Sequence, residues 1–150
     1  MNRLLLLLQL ATTLPLAGLI WTIQVVHYPL FAGVGPARFA AYHADHSRLI
    51  SLLVVPLMCV ELLSALATFR WPDEAMPRWF GPAMLGLVGV AWATTALASV
   101  PAHGQLAQGF DAAAHARLVH TNWLRTLAWT ARAALLLWAV ARQLPVTPPK

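Results

Sequence analysis

Six histidines, together with Glu61, Arg125 and Arg132 set inside apolar runs, are the residues whose types and spacing could do chemistry. His27 closes the first apolar run, His43 and His46 lead into the second, His103 follows the third, and His115 and His120 open the fourth. Imidazole is the commonest protein metal ligand and changes charge near neutral pH. Imidazoles from all four helices at one level form a plausible ligand set for iron, copper, zinc or haem in a bundle core. His27, His46, His103 and His120 are the expected ligands. His43 and His115 are expected to face the aqueous interface. A single histidine at a membrane surface is ordinarily an interfacial side chain. It is the confinement of all six to one face that points to a site. The His-x-x-His spacing at 43–46 adds little, because it is not the i, i+4 arrangement of a zinc helix.

The charged residues within the spans define further layers. At about 1.5 Å of rise per residue, Glu61 and Arg132 fall at one depth, about 20 Å from the histidine end, with Thr13 nearby. A charge in lipid is expensive unless paired, so a buried Glu61–Arg132 ion pair is expected. Its simplest role is a structural clamp. Arg125 lies about halfway along, near the level of Thr94 and Thr95, with no carboxylate at its depth. It is a candidate to bind an anionic or carbonyl-bearing ligand. Asn122 shares a helix face with Arg125, Trp129 and Arg132. Thr13, Ala17, Ile20, Gln24 and His27 form one polar stripe at steps of four and three. His43, Ser47, Ile50, Val54, Leu57, Glu61, Ser64 and Thr68 form another. Both should face the bundle interior.

The elements that must position these groups are transmembrane helices. The chain has 150 residues, of which 59% are hydrophobic and 10% charged, with a mean hydropathy of +0.65. A soluble domain carries about 25% charged residues. The stretches 4–26, 49–69, 80–100 and 118–140 are each long enough to cross a bilayer. The expected fold is all-α, an integral membrane four-helix bundle over 1–144, with a disordered tail at 145–150. The first run is read as an uncleaved span, since it is too long for the core of a signal peptide. Arg3, Arg70, Arg78, Arg142 and Lys150 fall on one side, and Arg38, Arg48 and Arg117 on the other. That bias favours both termini cytoplasmic, and a bacterial inner membrane is the expected location. The basic residues are scattered, so nucleic acid is not an expected partner. Membrane lipid and a hydrophobic small molecule are, and a homo-oligomer is left open. The lone Cys59 excludes an intrachain disulfide and is read as a small buried apolar residue. Gly86 and Gly89 are read as sites of close helix packing, Asp111 as a helix cap, and no internal repeat is evident.

Asn122-Trp-Leu-Arg125-Thr-Leu-Ala-Trp129-Thr-Ala-Arg132 resembles the final helix of the anthrone oxygenase-like family, small four-helix membrane proteins with Asn-x-x-Arg at a matching place. Gln24-Val-Val-His27-Tyr-Pro29-Leu-Phe resembles a segment found in bacterial proteins of this length. The resemblance implies oxidation of a polycyclic phenol or other lipid-soluble aromatic by oxygen, with Asn122 and Arg125 carried over by motif as catalytic residues. It implies no particular cofactor. The expected function is thus a membrane oxidoreductase acting on a hydrophobic substrate at a histidine-lined metal or haem site. The alternatives are a non-enzymatic metal or proton carrier, in which Glu61, Arg125 and Arg132 form a relay, and a structural subunit of a membrane complex.

Overall fold

A computed structural model describes residues 3–143; the tail expected at 145–150 lies outside them. Four helices are long and apolar enough to cross a membrane: α1 (Arg3–Gly33), α2 (Pro36–Arg70), α3 (Phe80–Leu106) and α4 (Ala112–Gln143). They form an integral membrane helical bundle, and no strand occurs among the described residues. Cross-helix contacts give the topology. Gln9 meets Thr68 and His27 meets His46, so α1 and α2 run antiparallel. Gly81 approaches Phe69, Arg132 bonds Met84, and Asn122 bonds Gln24, which closes the ring α1–α2–α3–α4.

The helices overrun the apolar stretches at the histidine end. The connection expected before residue 49 is almost all helix, since α2 begins at Pro36, with only Val34 and Gly35 separating it from α1. Proline suits the first helical turn, where its missing N–H has no partner to lose. His43 and His46 therefore sit on a rigid element. Asp111 caps α4: the Ala114 N–H donates to Asp111 Oδ1 at 2.6 Å.

Two π-helical turns interrupt the spans, at Ile23–His27 in α1 and Thr95–Ser99 in α3. Each ends two residues before a proline, Pro29 and Pro101. Proline cannot donate to the carbonyl four residues back. The preceding residue instead bonds five back, Tyr28 N–H to Ile23 O and Val100 N–H to Thr95 O. The sequence reading found no repeat; these two matched interruptions are a local similarity that apolar patterning does not reveal.

Large apolar side chains such as Leu52, Leu63 and Leu97 are exposed on the outside of the bundle, as lipid contact requires. The interior holds Leu16, Ile20, Met58, Ala91 and Trp129 in its middle, with further apolar clusters toward each end. Two packing expectations are corrected. Cys59 is exposed, because it lies on the outer face of α2. A Cβ at Gly86 or Gly89 would meet nothing within 4 Å, whereas one at Gly81 would lie 3.2 Å from Phe69 Cα and Thr68 O. Close approach thus falls where α3 begins against the end of α2.

Candidate functional site

Two polar layers cross the bundle. The one remote from the histidines is closed. Glu61 and Arg132 are both fully buried and form an ion pair at 2.8 Å. Thr13 Oγ1 donates to Glu61 Oε1 at 2.7 Å, and Trp129 Nε1 donates to Glu61 Oε2 at 2.9 Å. The Arg132 guanidinium also donates to the Met84 carbonyl and to Gln9 Oε1. All four helices contribute. A buried charge pair is tolerable only when its remaining donors and acceptors are satisfied, as they are here.

The Arg125 layer is open. Arg125 is 5% exposed. Its Nη1 donates to Asn122 Oδ1 at 3.2 Å and, at 3.4 Å, to Ser99 Oγ. It interacts with the Tyr28 hydroxyl and lies over the Trp129 ring at 5.1 Å. Among the described residues, Arg125 Nε and Trp92 Nε1 have no hydrogen-bond partner, and Arg125 has no carboxylate in salt-bridge contact. Asn122 is fixed from the other side, donating through Nδ2 to Gln24 Oε1 at 2.8 Å. The π turn in α3 presents Ser99, and the one in α1 contains Gln24. Above Arg125 lies a cavity of about 230 Å³ between α2 and α3, lined by Ile50, Val54, Met58, Trp92, Tyr28 and His103 among others.

The histidines form bonded pairs over this cavity. His27 Nε2 and His46 Nδ1 share a hydrogen bond at 2.8 Å, and His43 Nε2 and His103 Nδ1 share one at 2.9 Å. His103 Nε2 meets the Tyr28 hydroxyl at 3.1 Å. The rings of His46 and His103 lie 5.7 Å apart. His43 Nδ1 and His46 Nε2 have no hydrogen-bond partner among the described residues. A shallower groove of about 480 Å³ runs between α1 and α2 past His27 and His46. A cavity of about 520 Å³ at the opposite end is walled by Trp71, Pro72 and Pro77, remote from these groups.

The structure thus brings together His27, His46 and His103 of the four expected ligands, and Asn122 with Arg125. It leaves out His120, which is exposed. His120 is two residues before buried Asn122, so at about 100° per residue it points away from the interior. His43, expected at the aqueous interface, is instead 1% exposed and inside the cluster. His115 turns inward to the Tyr28 carbonyl at 2.8 Å. Among the described residues no three side chains of ligand type converge on one point; the imidazole nitrogens face one another in pairs. Ser99 and Trp92 are polar residues of the site that the sequence reading did not assign to it. Gln24 was expected on the inward stripe of α1, and Tyr28 at the level of the histidines, but neither was tied to Asn122 or Arg125. Compared with family models, curated proteins and solved structures, the chain matches none of them.

Proposed function

We propose that this protein is a membrane-embedded oxidoreductase that takes a hydrophobic phenol into the Arg125 cavity and oxidises it. The observation that carries this reading is the buried Arg125 guanidinium, with no carboxylate bridged to it and its Nε unpartnered beneath an apolar cavity. A buried cation without a counter-charge is expensive, and an anionic oxygen from a ligand would offset that. Arginine's planar donor fork suits such an oxygen. A phenol held there is stabilised as its phenolate, which gives up an electron far more readily than the neutral phenol. Dioxygen, the acceptor implied by the resemblance of the last helix, takes that electron to give superoxide and a phenoxyl radical. These join at the ring carbon para to the oxygen, the phenol's proton is returned to the peroxide, and loss of water leaves a quinone, so one phenol and one dioxygen give one quinone and one water.

The proton has acceptors beside the cavity. Tyr28, His103 and His43 form a hydrogen-bonded chain that leads from the cavity to the buried His43 Nδ1. In this reading the histidines move protons, because their nitrogens are engaged with one another rather than converging on an ion. The bias of Lys and Arg supports cytoplasmic termini, and the histidines would then face outward. The carrier alternative needs a polar path through the whole bundle, and the layer of Trp129, Glu61 and Arg132 is sealed by its own bonds.

Oxygen uptake by detergent-purified protein with 1-naphthol tests the proposal. Wild type should raise uptake above the buffer rate. Arg125→Gln should lower it by roughly 100-fold, as losing a donor to a developing oxyanion does. Uptake by wild type no faster than buffer would sink the reading.

A further inference from the structure

The rim of the Arg125 cavity is formed by residues that face lipid. Val55 is 51% exposed and Val100 is 59% exposed, and both line it along with exposed Ser51. Val55 lies six residues inside the apolar stretch 49–69, about 9 Å below its histidine-side edge, while Ser51 and Val100 lie at the histidine-side margins of 49–69 and 80–100. Met58 and Trp92 carry the lining deeper into the hydrocarbon. The mouth therefore opens sideways between α2 and α3, onto acyl chains of the histidine-side leaflet.

Size narrows the occupant. Sites that swallow a whole drug-sized molecule run about 300–1,000 Å³. The volume here is about 230 Å³. It holds a head group and leaves the rest of a larger molecule outside. The walls are suited to a flat ring: Trp92 and Tyr28 line the cavity, and the Arg125 guanidinium lies over Trp129 beneath it. Two buried donors without partners, Arg125 Nε and Trp92 Nε1, require oxygen acceptors on that ring.

We infer that the natural ligand is a tailed lipophile, a one- or two-ring phenol or quinone head bearing an aliphatic chain, which slides in from the bilayer between α2 and α3 and leaves its tail in lipid. This rests on the function proposed above and adds to it the route and the tail. The chain contributes no affinity of its own, since it stays in the same hydrocarbon whether the head is bound or free. What a lateral mouth provides is tolerance of the tail, which a closed cavity would reject.

The test compares 2-methyl-1,4-naphthoquinone with the same ring carrying one prenyl chain. Both are titrated into the full-length protein in lipid nanodiscs, reading quenching of tryptophan emission against mole fraction in lipid. Wild type should bind the two within threefold of each other. Val55→Trp, which plugs the rim, should weaken the tailed quinone at least tenfold more than it weakens the tailless one. Ser51→Trp serves if that variant fails to fold. Leu52→Trp, with the same bulk on the lipid face but off the rim, should change neither. Rejection of the tailed quinone by wild type, or its undiminished binding to both rim variants, overturns the lateral route. Displacement of both quinones by laurate at equal mole fraction overturns the ring head in favour of a simple carboxylate. Binding of neither quinone to wild type, or equal binding to Arg125→Gln, overturns the function on which this rests, and the portal with it.

Discussion

Asn122 Oδ1 accepts from Arg125 Nη1 at 3.2 Å, one helical turn along α4, while Asn122 Nδ2 donates to Gln24 on α1. A neutral amide here aims the guanidinium without neutralising it. Asn122→Asp would supply the counter-charge that the site lacks. We expect this variant to unfold at a higher temperature than wild type and to bind naphthoquinone at least tenfold more weakly. Unchanged quinone binding, measured by the same fluorescence quenching, would show that the cation is not what holds the ligand.

The sealed layer makes a different prediction. Arg132→Ala leaves Glu61 as a buried carboxylate with only Thr13 and Trp129 to hold it. Breaking a buried pair by removing one partner costs about 3–5 kcal/mol, and replacing both partners costs far less. Unfolding by titration with sodium dodecyl sulfate should therefore show a much larger loss for Arg132→Ala than for the double change Glu61→Gln/Arg132→Gln. Equal losses would argue that the charges are not coupled.

His43 and His120 separate the relay from its surroundings. His43→Ala interrupts the chain from Tyr28 through His103, and should lower kcat for naphthol oxidation about tenfold or more while leaving KM unchanged. His120→Ala, on the exposed side of α4, should alter neither. A fall in activity with His120→Ala, accompanied by loss of a bound metal, would return the histidines to the ligand role first expected of them.

The two classes of glycine in α3 differ in what surrounds them. Gly81→Ala drives a methyl to 3.2 Å from the backbone of Phe69 and Thr68. Backbone cannot yield as a side chain can, and overpacking of this kind costs about 1–3 kcal/mol. Gly86→Ala meets open space and should be neutral or slightly stabilising, since alanine is the better helix former. Thermal unfolding of the two variants side by side checks this.

The bundle, the Glu61–Arg132 pair and the isolation of Arg125 were legible in the sequence for one reason. Lipid forbids unsatisfied polar groups, so each charge in an apolar run had to point inward, and helical rise fixed its depth. The histidines were harder. Near a membrane face the same rule loosens. Periodicity already put His43 on the inward stripe with Ser47 and Glu61, but its place before the apolar run pointed to the aqueous interface. Because α2 begins at Pro36, the stripe holds and His43 is buried beside His46. His120 was misassigned by its depth, although its angle from Asn122 already set it apart. The cavity itself was not legible, because empty space depends on how four helices lean. Trp92 looked like one more interfacial or packing tryptophan until its neighbours were known.

The π turns before Pro29 and Pro101 carry one more consequence. Each adds a residue to a helical turn, and so rotates everything beyond it by about 100° relative to an uninterrupted helix. In α1 and α3, therefore, the histidine half and the ion-pair half are keyed to different rotational settings. A single-residue deletion within Ile23–His27 or Thr95–Ser99 would keep the apolar length of the span and its hydropathy almost unaltered. It would still swing Tyr28 or His103 out of phase with Arg125. For these two helices the reading frame of the site is set by one surplus residue, which composition-based comparison of related chains would not detect.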